Sequence, residues 1–147
     1  MKRGAMQQAQ ANRLATSHSR SLRRAALALA VIACGLSLRW YGFPFGLPAF
    51  VVKYGGSLLW AIMVFLLVGM CLPRLSPMRL AAIAAAIAVV VETSRLVHVP
   101  WLDAFRVTTA GALLLGRIFS PWNLVAYAAG IVFGVWIDRL AVLRRGD

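Results

Sequence analysis

Acidic residues are nearly missing from this 147-residue chain: four Asp and Glu stand against 16 Lys and Arg, and only 14% of residues are charged. A water-soluble domain usually carries about a quarter charged residues. With 61% hydrophobic residues and a mean hydropathy of +0.78, a small soluble fold has too little interior to hide the apolar excess. Water is therefore excluded as the solvent for most of the chain. Cysteine is scarce as well. Cys34 and Cys71 form neither a CxxC nor any metal-ligand spacing, which leaves both as small packing residues. The signatures HExxH, GxSxG, GxxxxGK[ST] and GxGxxG are absent, so the residues point to no metal or cofactor and lean away from an enzyme.

In place of these the chain has four apolar stretches, at residues 25–41, 55–72, 80–97 and 124–143. A membrane-crossing helix needs about 20 such residues, with roughly 17 as the lower limit. The expected fold is all-α, an integral membrane four-helix bundle occupying residues 25–143. Residues 1–24 form a basic tail holding Lys2, Arg3, Arg13, Arg20, Arg23 and Arg24. Without apolar periodicity, it reads as disordered or loosely held on anionic headgroups. Residues 144–147 are a short C-terminus. Two processing signals compete with this reading: a lipoprotein-like box at residues 31–34, and Arg23-Arg24 before an apolar run. The long tail and the apolar residues that continue past Cys34 argue against both.

The stretches are punctuated by turn chemistry. Pro44 and Pro48 interrupt residues 42–54, read as a loop, and Pro73 and Pro100 stop the second and third spans. Ser76-Pro77 and Ser120-Pro121 are helix starts, a capping hydroxyl followed by a proline at the first helical position. Residues 98–122 are too interrupted to span. Their apolar run at 110–115 reads as a short interfacial or re-entrant helix between the third and fourth spans. Ala126, Gly130 and Gly134 make a stripe of small residues, a packing seam.

A net charge of +12 raises the question of nucleic acid. The cations sit at the ends of apolar runs, so the lipid bilayer is the expected partner and nucleic acid is not. With four alternating spans, the tail, the turn holding Arg74 and Arg79, and the C-terminus lie on one side with eleven Lys and Arg, against five on the other. The positive-inside bias then puts both termini in the cytoplasm.

Glu92 is the exception that matters. It lies twelve residues into the third span, about 18 Å along the helix. A carboxylate at that depth must be neutralised or paired, and such groups often mark function. Arg95, three residues on, shares its helix face. The pair reads either as an ion pair locking helix packing or as part of a polar site. Topology gathers Arg39, Lys53, Arg95, His98, Asp103, Arg106, Arg117 and Asn123 on the same outer face. Five cations against Glu92 and Asp103 leave a net +3 patch suited to a lipid phosphate or to bulk headgroups. The candidate polar site is Glu92, Arg95, His98, Asp103, Arg106, Arg117 and Asn123.

Three blocks, LPAFVVKYGGSLLWAIMVF (47–65), VETSRLVHVPWLDAFR (91–106) and LGRIFSPWNLVAYAAG (115–130), resemble the domain-of-unknown-function family 2809 of small bacterial membrane proteins. That family is distantly similar to VanZ-like proteins. The resemblance implies an inner-membrane location and an envelope-related role, and it opens an alternative: an enzyme or glycopeptide-resistance factor acting on a cell-wall precursor, with Glu92 as acid or base and Arg106 holding phosphate. The chain departs from the family where Ser57 and Asn123 replace aspartates and Arg95 replaces glutamine. The residues themselves favour a protein of unknown activity whose outer-face cluster binds an anionic envelope lipid or a membrane partner. A purely structural membrane subunit is the third reading.

Overall fold

The computed structural model describes residues 2–116 and 118–143, and among these the chain is helical throughout its ordered elements. Helix α1 covers Lys2–Tyr41, α2 Ala49–Cys71, α3 Pro77–Ser94, α4 Pro100–Val107, α5 Thr109–Leu114 and α6 Pro121–Ile137, with a π-helical continuation at Asp138–Leu143. Four helices are long and apolar enough to cross a membrane: Ala15–Tyr41, Ala49–Cys71, Pro77–Ser94 and Pro121–Leu140. This is a multi-pass membrane protein. Only 11% to 39% of each span is buried against other helices, so most of each span faces outward from the bundle. Val89, Val90, Val132, Phe133 and Trp136 accordingly point outward.

Two boundaries differ from the sequence expectation. Residues 2–24, read as an unstructured tail, are helical and continuous with the first span. The physical reason is propensity: the tail is rich in Ala, Gln, Arg and Leu, lacks proline, and extends a helix already nucleated by the apolar run. Helix α2 likewise starts at Ala49, taking up half of the expected loop. Pro48 precedes its first turn, a position where its missing N–H costs nothing. The Ser-Pro starts hold, with Ser76 and Ser120 as N-cap residues, yet neither hydroxyl makes the capping bond. The expected short helix at 110–115 appears as α5, joined by an additional helix, α4.

Helix α2 is the centre of the bundle and packs against α1, α3 and α6. Phe65, Leu66 and Leu80 are fully buried, surrounded by Ala61, Ala84 and Ala88. Lipid tails are as apolar as leucine, so close packing and polar contacts, not expulsion from water, must hold such helices together. Gly130 and Gly134 of the expected small-residue seam do this, while Ala126 lines an open groove beside the contact. A Cβ on Gly130 would sit 2.4 Å from the Leu58 carbonyl oxygen, and one on Gly134 2.9 Å from the Phe65 ring. With hydrogen there, α6 lies directly on α2.

Candidate functional site: buried charges at helix ends

Helices broken inside a membrane-embedded bundle expose carbonyls at their C-termini and amides at their N-termini, with little water to satisfy them. Among the described residues, each buried charge lies against such an end. Glu92, fully buried on α3, faces the start of α6. Its Oε1 accepts from the backbone N–H of Ser120 at 2.7 Å and from Asn123 Nδ2 at 3.1 Å, and its Oε2 accepts from the Tyr127 hydroxyl at 3.0 Å. Ser120 is the N-cap of α6 and Asn123 its third residue. In a capping box, an acid at that third position reaches back to the N-cap amide. Here the acid comes from another helix, and its charge complements the positive end of the α6 dipole.

Arg95 neutralises Glu92, Nη1 to Oε2 at 2.6 Å. Its other donors reach the Leu115 carbonyl at 2.5 Å, the Ile118 carbonyl at 3.3 Å and the Tyr127 hydroxyl at 3.0 Å. Arg95 thus caps the end of α5 while pairing with the acid that caps α6. Gly116 makes room for it: with φ of +70° and a would-be Cβ 2.6 Å from the guanidinium, the position suits glycine alone.

Arg106 repeats the device on α4. It is buried, donates to the Val97 carbonyl at 2.8 Å and to the Ser94 carbonyl at the end of α3, and pairs with Asp103 at 2.9 Å. A third instance lies near the opposite end of the bundle. Arg24 of α1 forks onto Asp138, Nε to Oδ1 at 2.7 Å and Nη2 to Oδ2 at 2.8 Å, and donates to the Gly69 carbonyl in the last turn of α2 at 2.7 Å. Ser21 adds a bond to the Met70 carbonyl. Arg24 is 1% exposed and Asp138 0%. Glu92, Asp103 and Asp138 thus each pair with an arginine that caps a helix C-terminus; the fourth acid, Asp147, lies outside the described residues.

The candidate site therefore divides. Glu92, Arg95 and Asn123 come together as one buried network. Asp103 and Arg106 form a second group at the end of α3, with His98 exposed beside it, Nδ1 3.4 Å from Asp103. Arg117 lies outside the described residues. The outer patch of free cations shrinks accordingly, because the guanidiniums of Arg95 and Arg106 are turned inward onto carbonyls and carboxylates. Arg39 and Lys53 remain exposed on that side. Sequence reasoning missed Tyr127, although its place four residues after Asn123 puts both on one helix face. It missed the Arg24–Asp138 clamp altogether, having placed Arg24 in the tail. Ser57 donates to the Asn123 side-chain oxygen at 3.2 Å, so Ser57, Arg95 and Asn123 all lie in the Glu92 network.

Fold and site together define a small four-span membrane protein whose buried charges tie helix ends. Residues 46–131 match the family described as Protein of unknown function (DUF2809), and the chain belongs to that family. No solved structure matches it.

Proposed function

We propose that the protein is a non-catalytic component of a bacterial inner membrane, with both termini in the cytoplasm, that acts by binding a membrane component without transforming it. The observation that carries this reading is the state of Glu92. An acid–base catalyst must bring a lone pair or proton within reach of a substrate. The Glu92 carboxylate is fully buried and engaged by four donors from Arg95, Ser120, Asn123 and Tyr127. That is the arrangement of a structural clamp. The excess of Lys and Arg on the side of the termini supports the orientation, and the net positive charge favours an anionic lipid as the bound component.

The alternative, a VanZ-like envelope enzyme or glycopeptide-resistance factor, rests on the family resemblance, with Glu92 as acid or base and Arg106 on a phosphate. The inward turn of Arg106 counts against it. The two readings separate in a glycopeptide-sensitive bacterium expressing wild type or Glu92→Gln, with membrane insertion and melting temperature checked in parallel. The expected outcome is identical drug tolerance and lipid-precursor turnover for both. A correctly inserted Gln variant that loses a tolerance conferred by wild type would overturn the non-catalytic reading. Alkaline phosphatase fusions at either terminus should be inactive, and an active one would refute the orientation.

A further inference from the structure

Helices α2 and α6 run in the same direction and touch closely at Gly130, against Leu58 and Ala61. On the N-terminal side of that contact a groove of about 380 Å³ opens between them. Two side-chain stripes make its walls. On α6, Ala126 and Ala129 are too small to fill the space, and the exposed Trp122 lines it as well. On α2 the wall includes Phe50 and Tyr54, whose spacing of four residues puts them on one face. No charged residue among those described lines it. Lys53 is exposed next to this wall, and its Nζ lies 5.2 Å from the centre of the Tyr54 ring. An apolar slot lined by aromatic residues, with an exposed lysine beside it, matches an amphiphile with a hydrocarbon tail and an anionic head. Tyr and Trp mark the headgroup level of membrane proteins, where an ammonium meets phosphate.

We infer that the α2–α6 groove is a binding site for an anionic glycerophospholipid, with an acyl chain lying on Ala126 and Ala129 and the phosphate held at Lys53. The inference deepens the reading that the protein binds a membrane component, and it moves the site away from Arg95, whose guanidinium is engaged on every nitrogen, and from Arg106, which is buried and turned onto Val97, Ser94 and Asp103. Bulk lipid would wet the groove without discrimination. A site with a lysine beside it distinguishes headgroups, and one such cation near the surface corresponds to a preference of roughly fivefold.

The test is native mass spectrometry of the full chain, purified in detergent, delipidated and titrated with either phosphatidylglycerol or phosphatidylcholine. Wild type is expected to retain one phosphatidylglycerol with roughly fivefold preference. Lys53→Gln should still capture lipid but lose the preference, and Lys53→Arg should restore it. Ala129→Trp, which fills the groove from an exposed position, should abolish capture of both lipids with unchanged helicity. If Ala129→Trp misfolds, the Lys53 pair still decides, because that side chain is exposed. An equal preference for phosphatidylglycerol in wild type and Lys53→Gln, or full retention by a folded Ala129→Trp, would overturn the site. So would a change from dimer to monomer in Ala129→Trp with lipid capture intact, which would identify a second copy as the occupant. Catalytic dependence on Glu92 would remove the non-catalytic reading without touching these lipid measurements.

Discussion

Replacing Arg24 by alanine removes one whole side of a buried ion pair. It deletes two charge-assisted bonds to Asp138, at 2.7 and 2.8 Å, and one to the Gly69 carbonyl, at 2.7 Å. The loss is asymmetric, because Asp138 is 0% exposed and no other cation among the described residues pairs with it. A buried carboxylate stripped of its partner destabilises by about 3–5 kcal/mol, and the end of α2 also loses a carbonyl partner. Replacing both members with apolar groups of similar size is a different experiment. Arg24→Met with Asp138→Leu leaves no bare charge and should lie within about 1–2 kcal/mol of wild type, since such swaps are often near neutral. The assay is a double-mutant cycle on detergent-solubilised protein, with unfolding followed by loss of helicity. The double variant should be more stable than either single one. If instead the two single effects add to within about 0.5 kcal/mol, the charges are not coupled and the clamp argument fails.

Three further outcomes follow from local geometry. Gly130→Ala should cost about 1–3 kcal/mol by forcing α6 off the Leu58 carbonyl. Gly56→Ala, on the same helical background but facing open space, should be neutral or stabilise by about 0.5–1 kcal/mol; equal melting temperatures for the two variants would refute the seam. Gly116→Ala should cost about 1–3 kcal/mol, because it combines a positive φ with a collision against the Arg95 guanidinium. An unchanged melting curve would show that the loop relaxes freely. Asn123→Ala should lose about 1–3 kcal/mol as Glu92 and Ser57 lose a partner. Asn123→Asp should lose more, because a second carboxylate then faces Glu92, and the reverse order in a thermal melt would contradict that account.

The parts of the fold that follow local rules were legible. Hydrophobic runs located four spans, prolines located the breaks, and Ser76-Pro77 and Ser120-Pro121 marked two helix starts. The pairing of Glu92 with Arg95 was legible too, since residues three apart on a helix meet whatever surrounds them. Residues 2–24 misled because polar composition resembles disorder, while the same alanines, glutamines and arginines favour a helix that a neighbouring span has nucleated. The expected outer cluster misled for another reason. Topology puts Arg95 and Arg106 on one side of the membrane, but says nothing of where their guanidiniums turn.

By itself the sequence determined the apolar class of the chain and the number of helices long enough to cross a membrane, because hydrophobic length acts residue by residue. Only the tertiary structure decided the partners. Arg24 and Asp138 lie 114 residues apart, and Glu92 meets Tyr127 across 35. Those meetings depend on how four helices are rotated and shifted against one another. A helix end in lipid must have its open amides and carbonyls answered from a neighbour, and which neighbour answers is fixed only when the bundle closes.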